Sequence, residues 1–373
     1  MSNRYIIQLM GLDKDYNLLC LFNYINLQWT RSYYSPGSFS VQIPLDQYNK
    51  DIKYVYTPDR PELGEVEGIR YDFKQGQSLV TISGNFIENR LNDMVVYAPF
   101  TNSNITSDPG WVVQEGKAED VAIAYFNAFK TITFTQDNTS ITRALDIDFI
   151  DESQHRGHDS VRHRLNDYLG NKLYSILKPR YLAPRIYFDY ENAHLYLKIF
   201  EGRDKTSSTT TDNPVVFSSV YGNIRDLDIV VSSLNYKNGF IINSTVEDND
   251  EGTTNVYEYA ADRSLPADTR YRFQSIESQT NINDFNTQEA FISALMDEGD
   301  TELNNHKMTI SFDFDVVVGD ESGKTYQYLT DFDLGDRCSI EVPEVQLSED
   351  AVLSKCIEVI KNGVWSMTVE FDV

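Results

Sequence analysis

Ser35-Pro36-Gly37-Ser38-Phe39-Ser40-Val41-Gln42-Ile43 is the stretch on which the fold of this chain turns. Pro36 and Gly37 make a turn. From Ser38 the side chains alternate polar and apolar, the period-two pattern of a strand with one face in a core and one in water. Upstream, Tyr5 to Leu9, Asn17 to Phe22 and Ile25 to Ser32 read as further short strands, punctuated by Gly11, Asp13 and Asp15. Downstream come Ile52 to Tyr56, Gly64 to Phe73 and Ser78 to Gly84, with Gln75-Gly76-Gln77 as the turn between the last pair. Such dense hairpins imply a barrel or a sandwich, and a first β-barrel domain is expected over residues 1–96.

The character changes beyond it. Residues 97–115 carry Pro99, Pro109, Gly110 and several Asn and Ser, the composition of a linker or exposed loop. Ala118, Val121, Ala122, Tyr125 and Phe129 then recur at three- and four-residue steps, predicting an amphipathic helix over 117–130. A second helix is expected from a cap at Asp159 or Ser160, along the stripe Val161, Leu165, Tyr168, Leu169, Leu173, Ile176 and Leu177, to an end near Pro179. Ile186 to Asp189 and Leu195 to Phe200 read as a hairpin turning at Asn192, so residues 97–206 form an α+β middle domain.

After the polar run Ser207 to Pro214 the strands resume. They run at Val215 to Ser218, Ile224 to Ser233, Gly239 to Val246, Thr254 to Tyr259, Lys307 to Val318, Cys338 to Val342, Val352 to Ile360 and Trp365 to Phe371. The acidic run Glu247 to Glu251 reads as a hairpin tip, and one helix is expected at 287–296. The predicted fold is therefore mainly β, with a second β-barrel domain over 207–373 and a mixed domain between the two barrels.

Composition agrees and excludes some partners. The 24 Tyr and 20 Phe suit strands. With 57 Asp and Glu against 32 Lys and Arg the formal net charge is −25, which repels phosphate backbones and argues against sequence-specific nucleic-acid binding. No eighteen apolar residues run together, so no membrane span is expected, and the N-terminus turns polar at Asp13-Lys14-Asp15 before a signal-peptide core can form. Cys20, Cys338 and Cys356 are far apart and odd in number, which suggests neither a disulfide framework nor a thiolate metal cage.

Motifs that would carry chemistry are weak. His155, His158 and His163, with Asp146, Asp148, Asp151 and Glu152 nearby, invite a zinc reading, but they straddle a loop and a helix start beside three arginines and lack a ligand spacing. No Gly-x-Ser-x-Gly elbow, His-Glu-x-x-His helix or Walker loop is present. Paired carboxylates for glycoside hydrolysis carry no signal among so many acids. Trp29, Tyr33 and Tyr34 could form a sugar platform, but strand cores also need large rings, and packing is the expected use. The expectation is no catalytic residue, no cofactor and no metal.

One resemblance organises these pieces. Trp29 through Pro44, then Gly68-Ile69 and Val80-Thr81-Ile82-Ser83-Gly84, look like the opening strands of the tail-associated hub proteins of long-tailed phages, the Gp37-like siphovirus tail proteins, which are related to contractile-tail hubs and type VI spike hub domains. Phe200-Glu201-Gly202-Arg203-Asp204-Lys205-Thr206, Asn213 to Ser218 and Asn223-Ile224 are similar to the segment by which that family enters its second barrel. Tyr326 to Thr330, leading into Asp331-Phe332-Asp333-Leu334-Gly335-Asp336, and then Cys356 to Ile360, resemble its closing strands.

The resemblance implies a non-enzymatic hub of a phage or phage-like tail tip. That hub would be a homotrimer whose ring matches the tail tube, closes it, and lets tape-measure protein and DNA pass. Distal tail or tail-tube proteins and receptor-binding proteins would be its partners and the virion its location, after synthesis in the host cytoplasm. Longer members carry a lytic or receptor-binding extension after the hub, whereas this chain stops at Val373 on its last strand. A cell-wall or polysaccharide hydrolase and a carbohydrate-binding receptor protein are the competing readings.

Overall fold

The alternation from Ser38 builds a strand, Ser38–Pro44, in which Phe39, Val41 and Ile43 are buried and the residues between them half-buried. The computed structural model describes residues 7–373 apart from 75, 97–110, 115–116, 137–138, 153, 158–160, 165–166, 211–212, 249–251, 263–264, 267–268, 279–281, 283–286 and 318–324. Ser38–Pro44 pairs antiparallel with Asn26–Ser32 on one side and Gln77–Asn85 on the other. Between them, Trp29 packs its ring 4.7 Å from Phe86, within a core that includes Leu27, Val41, Val80, Ile82 and Ile360. Each such side chain, fully buried, contributes roughly 1.5–3 kcal/mol.

Asn26–Ser32 pairs in turn with Leu347–Lys361, from Ser32 opposite Lys355 to Asn26 opposite Lys361. The opening and closing segments of the chain thus share one sheet. Its path runs Ile224–Ser232, Thr309–Val316, Val364–Asp372, Leu347–Lys361, Asn26–Ser32, Ser38–Pro44, Gln77–Asn85, Gly68–Lys74. Arg337–Val342 pairs with Leu347–Lys361 and also takes Asp204–Lys205 and Val216–Ser218 as parallel neighbours.

The chain is mainly β, as expected, but no sheet closes into a barrel among the described residues: the large one has open edges at Gly68–Lys74 and Ile224–Ser232. Two compact units emerge, one of residues 1–228 with 312–373 and one of residues 229–311. The boundaries read at 96 and 206 both fall within the larger unit, whose strands pair across them: Asn26–Ser32 with Leu347–Lys361 across both, and Asp204–Lys205 with Arg337–Val342 across the second.

Several local expectations need correction. The strand expected at Gly64 to Phe73 is two strands in different sheets, Leu63–Glu65 in a four-stranded sheet and Gly68–Lys74 in the large one. Residues 5 and 6 lie outside the described residues, and the first strand is Met10–Leu12 rather than one ending at Leu9. Helix α1, Ala118–Phe129, forms as read and buries Val121, Ala122, Tyr125 and Phe126. Helix α2 is shorter, Leu169–Leu177. The first half of its expected span is instead a strand, Val161–Arg164, whose partner Trp111–Gln114 lies within the expected linker. Backbone pairing between those two stretches overrides an apolar stripe that held helical period by coincidence. The hairpin Leu182–Asp189 with His194–Glu201 forms around Asn192.

In the smaller unit Gly239–Asp248 pairs antiparallel with Gly252–Ala261 and parallel with Phe273–Ser278. The tip between the first two, expected at Glu247 to Glu251, falls largely outside the described residues. Helix α3 is Gln288–Asn305, longer than the expected 287–296, because Leu303 continues its apolar contact with the sheet beyond Gly299, where the pattern fades. Phe240, Ile242, Ala260, Phe291 and Leu295 form the core between α3 and one face of this sheet.

Candidate functional site

Strand phase puts a charge inside the larger unit. Along Asn26–Ser32 the inward positions are Leu27, Trp29 and Arg31, and Arg31 is 1% exposed. A guanidinium left unpaired there costs several kcal/mol, so partners must converge on it. Its Nε donates to Glu62 Oε1 at 2.7 Å, and its Nη1 to the Tyr328 hydroxyl and to Asp333 Oδ1, the latter at 2.6 Å. Arg185, from the strand Leu182–Asp189, donates to the same Glu62 oxygen. Nearby, Arg60 forks onto Glu358, with Nη2 2.7 Å from Oε1 and Nε 3.1 Å from Oε2. The Arg31 and Arg60 guanidiniums lie 5.8 and 5.6 Å from the centre of the Tyr328 ring, within cation–π range.

The electrostatics follow from this packing. Burial works against the charge on Arg31, but Asp333 and Glu62 outweigh it and hold the guanidinium well above its ordinary pKa. Burial likewise pushes the Asp333 carboxyl up, yet Arg31 and Arg185 pull it below its usual value. Burial keeps Tyr328 a neutral phenol. Glu88 goes the other way. Fully buried at the start of the short helical segment Ile87–Asp93, it is pushed up to about 7, first by desolvation and then by the charge of Glu62. The Ile186 amide reaches its Oε1 at 3.4 Å, and its Oε2 has no hydrogen-bond partner among the described residues.

A second clasp lies along the same loop. Asp336 accepts from the Arg203 amide and guanidinium, both at 2.7 Å, and from the Asp333 amide at 2.9 Å. Gly335 takes φ +90°, and a Cβ there would stand 2.5 Å from the Tyr33 ring. The Tyr33 hydroxyl in turn lies 2.9 Å from the Tyr181 carbonyl and 3.0 Å from that of Phe200. The loop Asp331 to Asp336 is therefore held by residues from both the opening and the middle stretches of the chain. The chemistry available is that of a tie, since carboxylate and guanidinium here neutralise each other.

Sequence reasoning missed this junction. One signal was present, the arginine at 31 in phase with Leu27 and Trp29. The residues it did single out sit elsewhere. His155 pairs with Asp120 at 2.8 Å and His194 with Asp148 at 3.1 Å. His158 lies outside the described residues, as does the side chain of His163, and no metal-holding group of His, Cys, Asp and Glu is found among those described. Trp29 and Tyr33 are core residues, which removes them as a sugar platform.

A family model described as Siphovirus ReqiPepy6 Gp37-like protein matches residues 7–371. No curated protein matches the chain. Among solved structures it is similar to the tail protein from Neisseria meningitidis MC58, with TM-score 0.57 and 12% identity over 99% of this chain and 97% of that one. It is also similar to the 43 kDa tail protein of prophage MuSo2 from Shewanella oneidensis, with TM-score 0.58 and 13% identity over 98% and 97% of the two chains. Prophage tail protein gp18 from Listeria monocytogenes EGD-e gives TM-score 0.52 and 13% identity over 98% and 94%. At such identities the likeness is one of fold, and it extends over nearly the whole of each chain.

Proposed function

Because the chain belongs to the Siphovirus ReqiPepy6 Gp37-like family of phage tail proteins, we propose that it is a non-enzymatic structural hub at the tip of the tail. Three copies form a ring that matches the end of the tail tube, closes it before infection and lets tape-measure protein and DNA pass. The β-rich opening and closing stretches build the ring, and residues 97–206 decorate or plug it. Distal tail and tail-tube proteins are its neighbours.

The observation that supports this reading is the large sheet with two edges open among the described residues, Gly68–Lys74 and Ile224–Ser232. Edges of one sheet that stay unpaired within a chain invite pairing between chains, and joining unlike edges head to tail closes a ring. In this arrangement strand pairing between copies, and not the two barrel domains expected of each chain, closes the sheet. The net charge of −25 also has a use, since acidic groups facing a lumen keep the genome from sticking.

Size-exclusion chromatography with light scattering tests the ring: a mass three times that of the chain is expected, alone or with a neighbouring tail protein. A monomer under both conditions would overturn it, and a basic channel wall in an imaged ring would remove the role given to the charge. A hydrolase would instead clear a turbid cell-wall suspension, an outcome that sinks the non-enzymatic reading.

A further inference from the structure

In the smaller unit α3 covers one face of the sheet, and the other is open among the described residues. Phe240, Ile242 and Ala260 pack against α3, so the alternate residues point the other way. On that face Tyr257 and Tyr259 are 51% and 59% exposed, with Phe273 at 46% and Tyr271 stacked beside it at 5.5 Å. Polar groups alternate with the rings. Asn243 stands opposite both Tyr257 and Glu277, and its amide donates to the Glu277 carboxylate at 3.1 Å. Ser275 lies opposite Ile241, itself opposite Tyr259. Among the described side chains of this face Glu277 is the only charge.

We propose that this face binds a neutral saccharide. Sugar rings present C–H faces that stack on aromatic side chains, and edges of hydroxyls that need both donors and acceptors. Tyr257 and Tyr259, two residues apart on one strand, stand about 7 Å apart and offer adjacent stacking surfaces. Asn243 and Glu277 supply an amide and a carboxylate across the strands from Tyr257. The one negative charge among the described side chains of the face, in a chain of net −25, disfavours phosphate- or carboxylate-bearing polymers. Size argues against a protein partner: two strands paired over ten residues and a third paired over six, about 4.8 Å apart, make a face on the order of 400 Å², well below the ~800 Å² each side of a standard protein interface. The site is independent of the hub reading and of Trp29, Tyr33 and Tyr34, the aromatics that the sequence had offered for this role.

The test uses the full chain and a panel of neutral hexasaccharides of glucose, galactose and N-acetylglucosamine, with polygalacturonate as the anionic contrast, followed by calorimetry and saturation-transfer NMR. Saturable, sub-millimolar binding of at least one neutral hexasaccharide is expected, with no binding of polygalacturonate. Tyr257→Ala with Tyr259→Ala should weaken it at least tenfold while the melting curve and the oligomeric mass stay as in the parent. If that double variant melts early, Glu277→Gln on the exposed edge strand provides the second reading, with several-fold weaker binding expected. Absence of binding by every neutral sugar at ten-millimolar concentration, binding of the anionic polymer alone, or unchanged affinity in a folded Tyr257, Tyr259 double variant would each overturn the proposal. None of these outcomes bears on whether the chain forms a ring.

Discussion

Arg31 and Asp333 stand 302 positions apart in the chain and meet at 2.6 Å inside the larger unit. The pair ties the opening strand to the loop that leads into the closing strands, and Glu62 and Arg185 complete it. Arg31→Ala leaves Glu62 and Asp333 facing each other with one cation removed. Breaking a buried pair from one side costs about 3–5 kcal/mol. Urea denaturation should show the midpoint falling accordingly, whereas Lys14→Ala, which removes the exposed partner of Asp15, should leave it unmoved. Equal midpoints for the two variants would show that the buried network does not hold the unit together.

Gly335 and Gly76 share positive φ, at 90° and 88°, but their surroundings differ. An alanine Cβ at 76 meets nothing within 4 Å, so Gly76→Ala carries only backbone strain of about 1 kcal/mol. At 335 the Cβ enters the Tyr33 ring, and moving that ring lifts its hydroxyl from the Tyr181 and Phe200 carbonyls. Gly335→Ala should therefore lower the melting temperature several degrees more than Gly76→Ala. Similar melting temperatures would mean that the ring yields without cost.

How much of this was legible follows from the range of the interactions. Strand Ser38–Pro44 and helix α1 came out within a residue or so, because local periodicity carries both. Val161–Arg164 did not, since its partner Trp111–Gln114 lies in a stretch whose composition is that of a loop. The junction was hidden for the same reason: Arg31, Glu62, Arg185 and Asp333 come from four separated segments, and a charged residue in a strand gives no motif. Family resemblance reached further than periodicity. Two of the quoted stretches, Phe200 to Thr206 and Asp331 to Asp336, are joined in the structure by Arg203 and Asp336.

Glu88 makes a prediction about pH. Its carboxyl is raised from an ordinary 4.5 to about 7 in the fold, so between these values the native state holds a proton that the unfolded chain has released. Stability from this group is full below about 4.5 and is lost as pH rises towards 7, a decline of order 3 kcal/mol. Asp333, lowered in the fold, acts oppositely and only in acid: its contribution is present above its unfolded value and is lost as pH falls below that. Comparing parent and Glu88→Gln isolates the first effect from other titrations. The difference between their unfolding free energies should change with pH between 4.5 and 7 and be flat above it. A difference that is flat throughout would mean that Glu88 is solvated or paired in solution.

The last prediction concerns the open edge, and it rests on the hub reading. Among the described residues Gly68–Lys74 pairs with Gln77–Asn85 on one side only, and Ile69, Tyr71 and Phe73 are all exposed along it, Phe73 by 70%. An exposed apolar edge of this kind is an aggregation hazard unless something covers it. The other open edge, Ile224–Ser232, carries Arg225 against Asp226 and Asp228, while the described side chains Arg70 and Asp72 of Gly68–Lys74 balance each other. Two copies of the negative edge would repel, which favours joining unlike edges and so a closed ring over a dimer of like edges. Phe73→Glu introduces a charge where the next copy would sit and removes little from the chain's own core. Light scattering should then report a monomer at concentrations where the parent is a ring, with an unchanged melting curve. A ring that persists in this variant would move the seam to another surface while leaving the oligomer itself intact.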